Sequence, residues 1–160
     1  MVPVWTDAKK LKDNALEWSN PLEFQFEIKE AKVNTYRLDL DLMYYKQITR
    51  DKLPIVISIE DLKDNSVRDY ECKIVLNIDG IWQGKQTGMG HDDYLLASTP
   101  LSAVKLSKGK YRLRIFANDE HEKKIYGISQ IALRWFENEE GGVDKPTSTR
   151  SGKDSTRVKK

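Results

Sequence analysis

Tyr36-Arg37-Leu38-Asp39-Leu40-Asp41-Leu42-Met43-Tyr44 places a large apolar side chain at every second position. The residues between are Arg, Asp, Asp and Met. A period of two is the period of a strand, whose successive side chains point to opposite faces. A stretch of this kind has one face in a core and one in water, the usual pattern of an antiparallel sheet.

The same period recurs on both sides. Upstream, Leu22, Phe24, Phe26 and Ile28 alternate with Glu23, Gln25 and Glu27. Downstream come Ile55-Ile57-Ile59, Cys72-Ile74-Leu76-Ile78, Tyr111-Leu113-Ile115-Ala117 and Ile131-Leu133-Trp135. Shorter strands are expected near Tyr94 to Ala97 and at Leu101 to Leu106. Turn chemistry lies between them: Lys63-Asp64-Asn65-Ser66, the apparent hairpin Ser107-Lys108-Gly109-Lys110, and the charged loop Asn118 to Lys124. About seven or eight short strands with no βαβ alternation predict an all-β, antiparallel sandwich of jelly-roll or immunoglobulin-like type.

The predicted sandwich occupies residues 22–137. Residues 1–21 form a lead-in, where Leu11, Ala15 and Trp18 suit one face of a short helix over Asp7 to Trp18, with an irregular segment as the alternative. Asn20-Pro21 ends it. Residues 138–160 are expected to be a disordered basic tail, too poor in apolar residues to offset the entropy of ordering. The last 20 residues carry six Lys/Arg against two Asp/Glu, and the other 140 carry 21 against 23. The body is therefore slightly acidic, and basicity gives no reason to expect a nucleic-acid partner. No apolar run reaches the roughly 18 residues of a membrane span. One cysteine excludes an internal disulfide; Cys72 reads as a buried thiol, since a nucleophile would need a basic neighbour to lower its pKa.

The segment Asp79-Gly80-Ile81-Trp82-Gln83-Gly84-Lys85-Gln86-Thr87-Gly88-Met89-Gly90 holds four of the nine glycines. It matches neither the phosphate loop nor the dinucleotide fingerprint. Asp79-Gly80 is expected to turn the chain and Trp82 to fold back as a cap; the alternative is a platform for a partner or a sugar ring. His91-Asp92-Asp93 lacks the spacing of a calcium loop and reads as a solvated turn. The carboxylate pairs Asp39/Asp41 and Glu23/Glu27 fall on polar strand faces, where charge belongs, rather than flanking a glycosidic bond. No Ser/His/Asp order or nucleophile elbow is present. Tyr45, Phe116 and Phe136 lie out of phase with the apolar faces and beside Arg112, Arg114 and Arg134. That is an interface of aromatic and arginine side chains, a surface able to stack on nucleic acid, or a set of rings covered by neighbouring segments. The expected binding residues are Trp82, Lys85, Tyr94, Arg112 and Arg114, with no catalytic residue, metal or cofactor.

The chain resembles the GldH-type gliding-motility lipoproteins of the bacterial phylum that includes Bacteroides and Flavobacterium, over roughly residues 5–136. The similarity lies in Trp5, Phe24 to Ile28, Tyr36 to Leu42, Asp79 to Lys85 with Gly88, Lys108 to Ile115 and Tyr126 to Arg134. The chain departs from the family at Met43-Tyr44, at Ala132 and in its basic tail, and it carries no lipid-bearing N-terminal cysteine. The resemblance implies a non-enzymatic subunit on the periplasmic side of the envelope, outer-membrane anchored. Its partners would be envelope proteins of gliding and type IX secretion. Its membrane attachment would run only through a lipid on a cysteine upstream of residue 1. The alternative expectation is a carbohydrate-binding sandwich using Trp82 and Tyr94.

Overall fold

A computed structural model describes residues 2–87 and 94–152. The strands are β1 (Trp5–Lys10), β2 (Ala15–Glu17), β3 (Leu22–Ile28), β4 (Thr35–Tyr45), β5 (Lys52–Asp61), β6 (Ser66–Val75) and β7 (Asn77–Ile78). They continue as β8 (Ile81–Trp82), β9 (Lys85–Thr87), β10 (Tyr94–Lys105), β11 (Gly109–Ala117), β12 (Lys124–Tyr126), β13 (Ile128–Glu137) and β14 (Ser148–Ser151). Sheet I has the order β1-β13-β4-β10-β9 and sheet II the order β14-β6-β5-β11-β3. All their pairings are antiparallel.

Eight strands have six residues or more: β1, β3, β4, β5, β6, β10, β11 and β13. Counted in chain order, sheet I takes them as 1-8-3-6 and sheet II as 2-7-4-5. Among these eight, nearly every connection crosses from one sheet to the other, and only β5 to β6 is a hairpin within a sheet. That interleaving is a jelly-roll, which decides between the two sandwich types expected.

The core forms where the inward faces meet. On β4 the side chains of Tyr36, Leu38, Leu40, Leu42 and Tyr44 are all buried, while Arg37, Asp39 and Asp41 are half-exposed. Leu40 sits opposite Leu133 of β13. Phe24, Leu113, Ile57 and Trp135 fill the space between the sheets. Each fully buried aliphatic contributes about 1.5–3 kcal/mol of transfer free energy.

The ends depart from expectation. Residues 5–10 are an edge strand paired with β13 from Trp5↔Trp135 to Lys10↔Gln130, not part of a helix. Only a single 3-10 turn, Lys12–Asn14, follows. Leu11 and Ala15 are buried on either side of that turn, and half-buried Trp18 follows β2. The two expected strands at 94–97 and 101–106 are one strand, β10, with a register shift between Pro100 and Ala103. Ser107 to Lys110 is not a hairpin, because β10 and β11 belong to different sheets. In the tail expected to be disordered, Ser148–Ser151 pairs with β6, and residues 153–160 lie outside the described residues. Asp144 accepts hydrogen bonds from Arg68 and from the Tyr70 hydroxyl. The order there comes from polar contacts, not from apolar burial.

Candidate functional site

The expected binding residues fall into two separate groups. Asp79 (φ 51°) and Gly80 (φ 86°) form the tight turn of the β7–β8 hairpin. Two left-handed residues in a two-residue loop are what Asp-Gly favours. The turn sends Trp82 back against the core, with its ring 6.2 Å from that of Tyr44. The Tyr44 hydroxyl donates to the carbonyls of Leu76 (3.2 Å) and Gln83 (2.5 Å), fastening the hairpin. Trp82 is thus a half-buried cap. Lys85 is exposed on β9, and the Tyr94 ring packs at a tilt of 39° against Tyr45, with centroids 4.5 Å apart and hydroxyls 2.9 Å apart. His91-Asp92-Asp93, Gly88 and Gly90 lie outside the described residues.

Arg112 and Arg114 belong to sheet II and do not meet this group. Arg112 donates to Glu60 at 3.0 Å and Arg114 to Glu23 at 2.9 Å. Sheet I carries a matching ladder. Arg37 pairs with Asp39, and Arg134 with Asp41 at 2.9 Å and Asp39 at 3.8 Å. The out-of-phase aromatics are covered. Phe136 lies under the guanidiniums of Arg37 (4.7 Å) and Arg134 (5.4 Å), and Phe116 packs on Trp18 at 6.0 Å. These faces spend their charge on one another.

A different place has the shape of a site. Where β1 and β4 begin and β3 and β13 end, the edges of the two sheets diverge and leave a cleft of about 830 Å³. Ligand sites span roughly 300–1,000 Å³. The fold builds the cleft from strand termini. The inward phase of β3 brings Phe26, β11 brings Tyr111, and β4 contributes its first inward residue, Tyr36. Half-exposed Trp5, on edge strand β1, closes one side. Phe26 stacks on Tyr111 (5.1 Å, 13° between planes) and lies 5.5 Å from Trp5. Behind it, Trp135 sits 5.2 Å away.

The two tyrosines of the cleft differ. The Tyr111 hydroxyl donates to the Ser107 carbonyl at 2.8 Å and accepts from the Ser107 N–H at 3.0 Å. The Tyr36 hydroxyl is equally buried and has no partner. Such a group costs about 1–3 kcal/mol when left unmade and calls for a reason. The Trp135 Nε1 behind the cleft also lacks a partner. Burial raises the Tyr36 pKa above its ordinary value, and the nearby carboxylate of Glu137 and the Tyr111 phenol raise it further. The hydroxyl therefore keeps its proton and is available as a donor. The mouth of the cleft carries Glu27, Glu30 and Glu137 against Lys29, Lys32 and Lys110.

Sequence reasoning placed Phe26, Tyr36 and Tyr111 on strands and Trp5 in the lead-in, and did not gather them. All four look like core positions, and only the jelly-roll order brings their strand ends to one corner. A smaller cavity elsewhere, about 70 Å³ beside Lys145 and Thr147, is lined by Leu38, Ile57, Tyr70, Cys72 and Leu101. Cys72 is half-buried there, and burial pushes its thiol up to about 11. No group of His, Cys, Asp and Glu suited to a metal occurs among the described residues.

No described protein family matches the chain, and no curated protein is similar to it. Among solved structures it is similar to a family GH115 4-O-methyl-α-glucuronidase with specificity for decorated arabinogalactans, at 13% identity and a TM-score of 0.46. The match covers 86% of this chain and 18% of that one, so the chain spans less than a fifth of that enzyme's length. A likeness that distant carries no argument about fold or function.

Proposed function

We propose that this protein is a non-enzymatic binding module and that its ligand is a carbohydrate held in the cleft between β1 and β3. The observation that carries the reading is the buried, unpartnered Tyr36 hydroxyl in a cleft walled by Trp5, Phe26 and Tyr111. A sugar ring has an apolar C–H face that packs on aromatic rings and hydroxyls that satisfy stranded polar groups. The cleft offers both surfaces together. The strand-face carboxylates Asp39 and Asp41 are held by Arg134 and Glu23 by Arg114, and none of the three lines the cleft.

The site differs from the one expected around Trp82 and Tyr94, whose rings are committed to Tyr44 and Tyr45. An envelope setting with envelope protein partners, as the gliding-lipoprotein motifs imply, would give such a module a location rather than a ligand. Mass spectrometry of the native N-terminus tests that setting by looking for a lipidated cysteine upstream. The binding reading is tested by calorimetry of the full chain against a panel of oligosaccharides. Saturable heats that vanish in Trp5→Ala, with the fold intact by circular dichroism, support it. No heat with any glycan, or release of reducing ends from one, overturns it.

A further inference from the structure

We infer that the ring bound in this cleft is uncharged, and that Tyr36 is its specificity-determining residue, its hydroxyl pairing with a hydroxyl of the sugar. The inference rests on the carbohydrate reading and adds the class of sugar. Three observations carry it.

The mouth has no excess charge. Three carboxylates face three ammonium groups, and none of the six takes part in an ion pair among the described residues. A cleft built for an anionic ring would focus positive potential at its entrance. Here the long-range field is balanced.

No arginine is available to clamp a carboxylate. Each described arginine, from Arg37 to Arg150, is engaged by an aspartate or glutamate, and none lines the cleft. Bidentate guanidinium contact is the usual protein answer to a planar carboxylate. Uronic acids would find no such partner.

The group beside the stranded hydroxyl is itself an anion. Glu137 stands opposite Tyr36 in the β4–β13 register and lines the same cleft. A sugar carboxylate near Tyr36 would meet like charge in a partly desolvated place. A sugar hydroxyl would meet two complementary groups, since it can accept from the phenol and donate to the carboxylate.

The test titrates the full chain with neutral oligosaccharides (glucan, mannan, galactan and xylan fragments) and with oligogalacturonate, by calorimetry and tryptophan fluorescence. A neutral fragment should bind. Tyr36→Phe, which keeps the ring and removes only the oxygen, should weaken that binding by roughly tenfold or more, because the sugar hydroxyl is then left unpaired. Its melting temperature should stay the same or rise. Oligogalacturonate should bind at least about tenfold more weakly, and Glu137→Gln should narrow that gap. Tighter binding of oligogalacturonate, or unchanged affinity in Tyr36→Phe, overturns the inference and leaves the carbohydrate reading standing. Absence of binding to every fragment removes both.

Discussion

The carboxylate of Asp144 accepts a hydrogen bond from the Tyr70 hydroxyl at 2.5 Å, and this contact fastens the C-terminal segment to the sandwich. The same carboxylate takes the Arg68 guanidinium and the backbone N–H of Lys105 at 3.1 Å. Tyr70 and Arg68 belong to β6 of sheet II and Lys105 to β10 of sheet I. One side chain therefore ties the two sheets together at the edge away from the cleft. Burial raises the Tyr70 pKa, and its hydrogen bond to Asp144 adds to the rise. Asp144→Ala should lower unfolding free energy by about 2–3 kcal/mol, the scale of a charge-assisted hydrogen bond lost with its partners left behind. Tyr70→Phe should cost about 1 kcal/mol. In a double-mutant cycle by urea denaturation the two should be non-additive; full additivity would mean that the contact carries no energy.

Beneath that segment lies Cys72, whose thiol burial pushes from 9.0 up to about 11. At pH 8 the folded protein should react slowly with a thiol reagent such as dithionitrobenzoate, because the thiolate is the reacting form. A chain ending at Val143 should react at least about tenfold faster at the same pH, since the cover is gone. The linkage has a definite sign. The folded pKa is raised, so this contribution to stability is whole below pH 9 and is lost as pH climbs through about 11. Equal reactivity of the full and shortened chains would show that residues 144–147 do not shield the thiol.

The parts of the fold legible in the sequence are those where hydropathy does the organising. Alternation marks β3, β4, β5, β11 and β13 because each has one face in the core. It is silent on β1, where Trp5 is half-buried and the next five residues are exposed. It is silent on residues 144–151, which Asp144, Thr147 and Arg150 hold by polar contacts. Sheet membership is hidden for another reason. Ser107-Lys108-Gly109-Lys110 has the residues of a hairpin turn yet crosses between sheets. Turn chemistry fixes a local reversal, not the partner of the next strand. The cleft shares that obscurity, since Trp5, Phe26, Tyr36 and Tyr111 converge only once the crossings are known.

Gly84 holds the Trp82 cap in place through backbone geometry. Its φ is +109°, and a Cβ there would lie 2.6 Å from the Leu96 carbonyl oxygen. Leu96 is the β10 partner of Lys85, the next residue. Gly84→Ala should therefore cost about 3 kcal/mol or more, combining left-handed strain with a backbone clash. Gly80→Ala provides the control. Its φ is +86° but nothing lies within 4 Å, so only about 1 kcal/mol is expected. Denaturation curves should rank the two variants in that order, and Gly84→Ala should also red-shift tryptophan emission as Trp82 loses its seat. Equal costs would place Gly84 in a looser segment than the geometry describes.

Asp119 gives the acid limb of stability a specific origin. Its Oδ1 accepts the backbone N–H groups of His121 (2.8 Å) and Glu122 (3.1 Å), and its Oδ2 accepts from Arg50 at 3.2 Å. The His121 N–H is the main cause that holds its carboxyl below 3.8. Because the folded pKa is depressed, the stabilisation is present above pH 3.8 and disappears as pH falls through the lower folded value. Asp119→Asn keeps an oxygen for the two N–H groups but removes the charge. The variant should be less stable than the parent at pH 7 by up to about 1 kcal/mol, since the pair with Arg50 is partly solvated. The gap should close as pH falls through the lowered folded value, where the parent carboxyl also becomes neutral. Urea midpoints measured from pH 2.5 to 7 decide the matter, and a gap that stays constant across that range would assign the effect to hydrogen-bond geometry rather than to charge.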